Sequence, residues 1–396
     1  MVSKTSPQLF QPARWLVTGG CGFIGCNLIK RLISEGAAHI RILDNLSVGT
    51  RSDLSRVCTF TESCVEELHN VPPSSILTPH FSPVHLLVGD IRDPDTCLAA
   101  AHGTDIIVHL AANTGVAPSV ENPRMDMEIN VIGTLNMLEA ARQSSVKRFI
   151  FASSGAPVGE CEPPIHEELA PHPVSPYGAS KLAGEGYCSA YYRTFSIETV
   201  SLRFGNVYGP LSSHKSSIVA KFIRQALAGE VCEIYGDGNQ TRDFIYIDDL
   251  VEAIIKVAVA LSLSLRSVGD NHENDHGFSP LGSYQLTRKE IGDRAFSARP
   301  SSFSARPSSM SLGKVAGELF QVATNNEHTV NEVAAMLFTE LKQHGTDMRI
   351  AHGHPRLGDV KRNFSDIRKA RRLLNWSAQT HIEKGLRQTV EWFLSL

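Results

Sequence analysis

The chain has 396 residues, of which 42% are hydrophobic and 20% are charged, and its formal net charge is -3. This length can bury one large core or two adjoining ones, and the balanced charge gives no reason to expect nucleic acid or an anionic membrane as a partner. No run of about 18 apolar residues occurs, and the first residues lack the apolar region of a signal peptide. The eight scattered cysteines lack metal-ligand spacing, so we expect reduced thiols in a cytoplasmic protein without a metal site.

The first half of the chain alternates short β-rich segments with amphipathic helical segments. Strands are predicted at 15–18, 39–43, 84–88, 106–110 and 149–153, and the helices include 23–34 and 134–142. This alternation predicts a Rossmann-type α/β fold, a doubly wound parallel sheet that binds ligands beyond the carboxyl ends of its strands. We assign residues 12–200 to a ligand-binding domain built on this sheet and residues 201–396 to a smaller mixed α/β substrate region.

Two stretches interrupt the pattern. Residues 52–83 have the composition of a loop. Residues 261–313 form a longer polar stretch in which a seven-residue sequence at 296–302 is repeated at 303–309. Because a loop of that length is unusual inside a compact domain, we interpret it as a disordered insertion or an artefact of gene prediction, with a partner-binding segment as the alternative.

A glycine-rich segment lies between the first predicted strand and the first predicted helix. Gly19, Gly22 and Gly25 are spaced by three residues, and Phe23 and Ile24 open the helix between the last two glycines. This spacing provides a tight turn, close backbone approach to a pyrophosphate and close packing of helix on strand. The free N–H groups and the dipole of the helix then favour a phosphate, so the segment predicts a dinucleotide site.

Acidic residues end the second and third predicted strands. Asp44 is placed to accept hydrogen bonds from ribose hydroxyls and would repel a 2′-phosphate, which favours NAD over NADP; a surface aspartate is the alternative. Asp90 and Ile91 are placed to contact the adenine, although an ordinary turn after the strand would leave the same pattern.

A tyrosine and a lysine four residues apart supply the predicted catalytic pair. Tyr177 and Lys181 would share one face of a helix, and a neighbouring ammonium favours the phenolate form of the tyrosine. The spacing alone is commonplace, but here it follows a complete glycine loop and a predicted strand that ends near Ser154. Ser154 could share the hydrogen bond of a substrate hydroxyl, and Asn130 is expected to bridge backbone groups in a structural role.

These motifs, in this order, resemble those of extended short-chain dehydrogenases/reductases, specifically the nucleotide-sugar epimerase/dehydratase family. The resemblance covers nearly the whole chain apart from the two interruptions. It rests on residues 18–25, 44–47, 89–92, 109–112, 152–154, 177–181, 203–210, 236–248 and 356–359.

The resemblance implies NAD as cofactor, a UDP-sugar as substrate and a homodimer. Further cofactor contacts are implied for Asn45, Leu110, Ala111 and Ala112. For the substrate, it implies that Asn206, Arg242 and Arg356 bind the diphosphate and that Asp359 holds the uridine ribose. Guanidinium groups suit phosphate oxygens, although each arginine could instead form a surface salt bridge.

The reaction type is inferred from two residues that cannot transfer protons. Dehydratases of the family carry an Asp-Glu pair after the catalytic Ser or Thr, where this chain has Gly155 and Ala156. The resemblance therefore implies epimerisation, most simply at carbon 4 through a 4-keto intermediate. A keto-sugar reductase and a non-catalytic NAD-binding protein are the alternatives. Asn363 replaces a bulky residue of UDP-glucose-specific relatives, which suggests space for an N-acetyl group.

Overall fold

A computed structural model of the chain describes residues 13–64, 82–269, 315–355 and 360–396. The elements of its first half, in chain order, are β1 (Arg14–Thr18), α1 (Phe23–Ser34), β2 (His39–Asp44), α2 (Arg51–Ser55), β3 (Thr61–Cys64), β4 (Val84–Val88), α3 (Pro94–Ala101), β5 (Ile106–His109), α4 (Val116–Glu121), α5 (Pro123–Met127), a π-helical turn (Glu128–Ile132), α6 (Gly133–Gln143), β6 (Arg148–Ser154), a 3-10 turn (Ala156–Val158) and α7 (Pro176–Phe195).

The second half adds shorter strands between helices. Its described elements are β7 (Glu198–Phe204), β8 (Asn206–Tyr208), α8 (Ile218–Leu227), β9 (Val231–Tyr235), β10 (Thr241–Arg242), β11 (Phe244–Tyr246), α9 (Ile247–Gly269), β12 (Leu319–Val322), β13 (His328–Thr329), α10 (Val330–Gln343), β14 (Arg349–Gly353), α11 (Arg368–Leu374) and α12 (Ile382–Leu394). Strands β8 and β11 pair in parallel, as do β9 and β14, whereas β10 and β13 pair antiparallel.

The main sheet has eight parallel strands in the order β12-β7-β6-β5-β1-β2-β4-β3. The chain builds outward from β1 to β2 and β4, and it then returns to the other side of β1 with β5. This reversal creates a crevice at the carboxyl end of β1, where Thr18 lies opposite Leu43 on one side and His109 on the other. Ligands of open α/β sheets bind at such a reversal of strand order.

Helices cover both faces of the sheet, so its strands are buried on both sides. Adjacent residues of β1 enter different cores: Val17 packs in one with Leu28 of α1, and Leu16 packs in the other with Met137 of α6. This alternation follows from the pleat of a strand and explains why the central strands are almost continuously apolar. The predicted Rossmann-type fold is confirmed.

The structure corrects the predicted extent of the two interruptions. The stretch 52–83 contains most of α2 and all of β3, which pairs in parallel with β4 at the edge of the sheet; residues 65–81 lie outside the described residues. The polar stretch was expected from residue 261, but α9 continues to Gly269 and Leu261 is fully buried. The remainder of that stretch, 270–314, lies outside the described residues.

The main sheet contains residues from both halves of the chain. The boundary expected after residue 200 falls inside β7, and β12 pairs with β7 from far along the sequence. Among the described helices, none is long and apolar enough to cross a membrane.

Candidate active site

The glycine loop joins β1 to α1 with almost no free space around its backbone. Gly19 has a φ of 68°, and a Cβ atom on it would lie 2.8 Å from the backbone nitrogen of Ala111. A Cβ on Gly25 would lie 2.4 Å from the carbonyl oxygen of Gly19, so only glycine permits this approach of α1 to the loop. Gly49, in the loop after β2, packs equally close to the Cys21 carbonyl.

The beginning of α1 fits a phosphate group. Its N-cap is Gly22, so no side chain caps the helix, and no acidic residue occupies the first turn. The first N–H groups of a helix have no partner within the helix, and here they face the crevice at the end of β1. Phe23 and Ile24, half-buried, form the first turn.

The carboxylate of Asp44 fixes the second side of the crevice. It accepts hydrogen bonds from the backbone N–H groups of Cys21 (2.9 Å) and Leu46 (2.8 Å), which ties the end of β2 to the glycine loop. Burial raises the pKa of Asp44, and these two hydrogen bonds act in the opposite direction. The carboxylate retains lone pairs that could accept ribose hydroxyls, and it lies where the sequence predicted.

Asn45 and Asp90 meet at the outer end of the same crevice. The Asn45 amide donates to Asp90 at 3.0 Å, and Arg92 forms a salt bridge with Asp90 at 2.8 Å. The Arg92 guanidinium lowers the pKa of Asp90 to about 2, so this carboxylate is ionised near neutral pH. Ile91 is buried against Gly133, on which a Cβ would lie 2.5 Å from the Ile91 side chain.

A chain of buried hydrogen bonds holds the third side. Thr18 Oγ1 accepts a hydrogen bond from the Ala111 N–H (3.1 Å) and lies 2.8 Å from His109 Nδ1. The other ring nitrogen, His109 Nε2, lies 3.1 Å from Thr134 Oγ1. The Thr134 hydroxyl in turn donates to the Asn130 carbonyl. Every hydroxyl proton has one acceptor if His109 is neutral with its proton on Nε2. Burial lowers the pKa of His109 to about 3, in agreement with a neutral ring. Leu110, Ala111 and Ala112, predicted to line the cofactor, follow this histidine and are half-buried.

The helix α7 presents the predicted catalytic pair to the crevice. It begins with Pro176 after Ser175, whose hydroxyl accepts the Gly178 N–H at 3.1 Å, so Tyr177 lies in the first turn. Ser154, at the end of β6, lies close enough to Tyr177 for its hydroxyl to oppose the rise in the tyrosine pKa that burial causes. Lys181 lies one turn further along the same face of α7, and its ammonium is 6.0 Å from the centre of the Tyr177 ring. The structure therefore brings together all three predicted catalytic residues.

The ionisation of the pair is governed by burial. Burial raises the pKa of Tyr177 to about 12, opposed by the hydrogen bond with Ser154 and reinforced by Asp126. Burial lowers the pKa of Lys181 to about 8, and the carboxylates of Asp126 and Glu185 oppose that change. The Lys181 ammonium donates to the Ala152 carbonyl at 2.8 Å, which fixes it against the end of β6.

Asp126 lies beneath the catalytic pair and was not identified from the sequence. It lies on α5 and is fully buried. Its Oδ1 accepts hydrogen bonds from the side-chain amides of Asn130 (3.0 Å) and Asn113 (3.3 Å), whereas its Oδ2 has no hydrogen-bond partner. Asn130 also bridges both backbone groups of Asn113, the structural role expected for it, and its amide lies 3.1 Å from Ser180 Oγ on α7. The only signal in the sequence was a carboxylate four residues before Asn130, which no motif distinguishes.

Two of the four predicted substrate residues, Asn206 on β8 and Arg242 on β10, lie in the described part of the chain. Asn206 is exposed at the start of β8, and its backbone N–H donates to the carbonyl of Asp243, beside Arg242. The Arg242 guanidinium donates to the carbonyl of Val360 at 2.7 Å, directly after the segment 356–359. Arg356 and Asp359 themselves lie outside the described residues.

Gly155, which follows the end of β6, and Asn363 are neighbours in the structure. A Cβ atom on Gly155 would lie 3.9 Å from both the nitrogen and the oxygen of the Asn363 amide. Asn363 is therefore next to the residue that follows Ser154, on the side where the sequence suggested space for a sugar substituent. The described residues contain no cluster of His, Cys, Asp or Glu suited to a metal ion.

A glycine loop and a Tyr-Lys pair at the carboxyl edge of a parallel sheet define a dinucleotide-dependent enzyme of the short-chain dehydrogenase/reductase type. Residues 15–264 match the family described as NAD dependent epimerase/dehydratase, and the chain belongs to that family. A UDP-glucose 4-epimerase of Mycolicibacterium smegmatis is 30% identical over 385 residues, covering 96% of this chain and 98% of that protein.

A solved structure and a further relative agree with this membership. The crystal structure of UDP-glucose 4-epimerase with UDP-glucose from Thermotoga maritima has a TM-score of 0.70 and 29% identity, covering 96% of this chain and 99% of that chain. A dTDP-glucose 4,6-dehydratase of Xanthomonas campestris is 28% identical over 404 residues, covering 97% of this chain and 93% of that protein. The predicted class, an NAD-dependent enzyme with a Rossmann-type fold, is confirmed.

Proposed function

We propose that the protein inverts carbon 4 of a UDP-sugar through a transient 4-keto sugar and retains NAD throughout the cycle. The observation that carries the proposal is the position of the Lys181 ammonium, 6.0 Å from the centre of the Tyr177 ring and bonded to the Ala152 carbonyl just before Ser154. Gly155 and Ala156 follow Ser154 directly and offer no acid for elimination of water. Epimerisation needs only a group that takes and returns one proton, and Tyr177 is that group.

The residues of the chain divide the proposed reaction between them. Bound NAD supplies a reversible hydride acceptor and a positive ring. Tyr177 takes the proton of the 4-hydroxyl, and Ser154 shares the hydrogen bond of that oxygen. Tyr177 must be in its phenolate form to act as a base, and burial raises its pKa to about 12, which disfavours that form near neutral pH. The positive charge of Lys181 favours the phenolate. The proton returns from Tyr177 after the 4-keto sugar has turned its other face.

We assign the cofactor to the crevice around the glycine loop. Gly19, Gly22 and Gly25 with Phe23 and Ile24 hold the pyrophosphate, and Asp44 accepts the ribose hydroxyls, which favours NAD over NADP. We assign the adenine and nicotinamide portions of NAD to residues that follow the carboxyl ends of β2, β4 and β5. These residues are Asn45, Asp90, Ile91, Leu110, Ala111 and Ala112.

We assign the substrate diphosphate to Asn206, Arg242 and Arg356, and the uridine ribose to Asp359. The hydrogen bond from Arg242 to the Val360 carbonyl supports this grouping, because Val360 directly follows Arg356 and Asp359 in the sequence. For the sugar, the position of Asn363 beside Gly155 supports contact with a ring substituent. Comparison of UDP-N-acetylglucosamine with UDP-glucose tests whether the space admits an N-acetyl group.

We also propose a cytoplasmic homodimer that forms through α4, α5 and α7. Val120 and Met127 on the first two helices are 60% and 40% exposed, and Phe195 at the end of α7 is 44% exposed. Exposed apolar side chains on neighbouring helices favour association with a second copy. All eight cysteines are unpaired, which supports a reducing compartment. Sedimentation equilibrium would reveal the dimer, and a monomer at micromolar concentration would refute it.

The chemical proposal is tested with Tyr177→Phe, which removes only the phenolic hydroxyl. We expect turnover of a UDP-sugar to fall by about 10²- to 10⁴-fold, the usual contribution of a general acid–base group, with NAD still bound. Tyr187→Phe, an exposed tyrosine on the same helix, is the matched control and should retain activity. Unchanged turnover by Tyr177→Phe would remove Tyr177 from the mechanism.

A further inference from the structure

A buried aspartate between β10 and β11 has no part in the proposed reaction, although it lies in the motif 236–248. The side chain of Asp243 is buried, the whole residue being 1% exposed, and its carboxylate accepts four hydrogen bonds. Oδ1 accepts from the N–H (2.7 Å) and the hydroxyl (2.6 Å) of Thr324, and Oδ2 accepts from the N–H groups of Asn325 (3.0 Å) and Ser365 (3.3 Å). Both oxygens act as acceptors, which an ionised carboxylate allows and a carboxamide does not.

These hydrogen bonds join parts of the chain that are far apart in the sequence. Thr324 and Asn325 follow β12, whereas Ser365 lies near the end of the chain, 122 residues from Asp243. The backbone carbonyl of Asp243 accepts a further hydrogen bond from the Asn206 N–H at 2.8 Å, at the beginning of β8. Asp243 therefore connects the pair β10 and β11 to three other segments.

The residues just before Asp243 bind the same terminal segment at its other end. The Thr241 N–H donates to the Lys361 carbonyl at 2.9 Å, and the Arg242 guanidinium donates to the Val360 carbonyl at 2.7 Å. The hydrogen bond between Asp243 and Ser365 is the third contact of this series. Residues 360–365 are therefore held against β10 at both ends.

Three residues assigned to the substrate depend on this arrangement. Asn206 is bound by the carbonyl of Asp243, and Arg242 directly precedes it. Asn363, which lies beside Gly155, is two residues before Ser365. Because the Asp243 carboxylate is buried and already bonded through both oxygens, its effect on a substrate must pass through these neighbours.

We propose that Asp243 is a positioning residue, which fixes Asn206, Arg242 and Asn363 relative to one another so that they bind one UDP-sugar. This inference rests on the proposed function, in which those three residues are assigned to the substrate. Binding groups are effective only when their positions are held to about 0.5 Å, and hydrogen bonds to an ionised acceptor are the stronger ones.

The test replaces Asp243 by asparagine in the holoenzyme and measures the binding of UDP by calorimetry. The carboxamide offers one acceptor oxygen, so one pair of donors must face its NH2 group. We expect the Kd for UDP to rise by about 10- to 100-fold, the effect of losing a hydrogen bond to a charged group. The KM of the UDP-sugar that the wild-type enzyme accepts should rise in proportion, with kcat and NAD content little changed, because the displaced groups bind parts of the substrate that do not react.

Asp249→Asn is the matched control. Asp249 on α9 is 7% exposed, and its carboxylate accepts the N–H groups of Gln379 (3.0 Å) and Thr380 (2.9 Å), neither of which is assigned to the substrate. We expect this variant to lose stability in denaturant titrations and to bind UDP as the wild-type does.

A milder variant decides the question if Asp243→Asn does not fold. Thr324→Val keeps the shape of the side chain and removes the hydroxyl that donates to Asp243. We expect the Kd for UDP to rise by about 2- to 5-fold, the effect of one lost hydrogen bond. Unchanged UDP affinity in this variant would then overturn the inference.

Other results overturn the inference as well. Folded Asp243→Asn that binds UDP like the wild-type would show that the carboxylate does not position the site. An equal loss of UDP affinity in Asp249→Asn would mean that both changes act through stability alone, and a fall in kcat with constant KM would place Asp243 in the chemical step. A wild-type enzyme that binds UDP but epimerises no UDP-sugar would refute the proposed function, and the comparison of UDP affinities would still decide the role of Asp243.

Discussion

Asp126 has a carboxylate oxygen that bonds two amides and a second oxygen that is buried without a partner. The charged groups that act on Lys181 lie on several elements: Asp126 on α5, Glu185 on α7 and Lys215 before α8, and the lysine charge also acts on His109 of β5. Of these, Asp126 also acts on Tyr177. We therefore expect its charge to shift the pH range in which the catalytic pair is active, a range that burial governs first.

Asp126→Asn isolates that charge, because the amide oxygen can accept both existing hydrogen bonds and the amide nitrogen replaces the oxygen that has none. Asp126 raises the pKa of Tyr177 and of Lys181, so removing its charge lowers both. We expect the acidic limb of the pH profile of kcat/KM, where Tyr177 must be ionised, to move about one unit to lower pH. Asp95→Asn, an exposed carboxylate on α3, is the control. An acidic limb that stays in place or moves to higher pH would refute this role.

Gly25 shows how one residue can determine cofactor binding. A Cβ atom would lie 2.4 Å from the Gly19 carbonyl oxygen and 2.5 Å from the Gly20 Cα, and both are backbone atoms that cannot rotate away. Gly25→Ala should therefore displace α1, cost about 1–3 kcal/mol of stability and release NAD. Gly186→Ala is the matched control, because Gly186 lies exposed in α7 with nothing within 4 Å, and alanine there should stabilise the helix by about 0.5–1 kcal/mol. Full NAD content in Gly25→Ala after gel filtration would contradict the account.

At the scale of elements, α7 is attached to the sheet by a buried ion pair one turn beyond Lys181. Glu185 pairs with Arg203 of β7 at 2.7 Å, with side chains 9% and 3% exposed, and it also accepts the Ser153 hydroxyl of β6. Gly184 lets the helix approach closely, since a Cβ on it would lie 2.3 Å from the Phe151 ring. These contacts determine the height of Tyr177 and Lys181 above the strand ends.

Glu185→Ala leaves the Arg203 guanidinium buried without its partner. We expect the free energy of unfolding to fall by about 3–5 kcal/mol, the usual cost of breaking a buried pair on one side. Glu62→Ala, which breaks an exposed pair with Arg51, should change stability little. Denaturant titrations of both variants provide the comparison. Similar small losses in the two would show that the buried pair does not hold α7 in place.

The elements of the first half could be predicted because their signals are local. The strands 39–43 and 84–88 and the helix 23–34 were predicted within one residue, since each has a regular apolar pattern and a clear end. Strand β3 was missed because it is short and polar, and only its pairing with β4 identifies it. The polar stretch was predicted to begin at residue 261 because residues 261–269 are rich in serine, although α9 continues through them and Leu261 is buried.

The candidate site shows the same division between local and distant signals. The glycine loop and the Tyr-Lys pair have fixed spacings, so the sequence alone predicts them. Asp126 has no spacing that distinguishes it from surface residues, and its importance depends on its burial, which only the fold determines. The joining of β12 to β7 is similar, because it brings together parts of the chain separated by more than a hundred residues.

At the scale of the whole molecule, the proposed chemistry needs no external oxidant or reductant. The cofactor crevice is closed by the loops after β1, β2 and β5, and the substrate region approaches it through Pro210 and His214. In the proposed assignment these loops lie on several sides of the cofactor, which suits an enzyme that keeps NAD bound while the sugar is oxidised and reduced again. A keto-sugar reductase, in contrast, must exchange its cofactor in every cycle.

The most direct test incubates the purified holoenzyme separately with UDP-glucose, UDP-N-acetylglucosamine and UDP-glucuronate, without added cofactor, and separates the products by chromatography. We predict that one of these sugars reaches equilibrium with its 4-epimer while the NAD content of the protein stays constant. Absence of any epimer from all three, with NAD bound and the protein folded, would contradict the account.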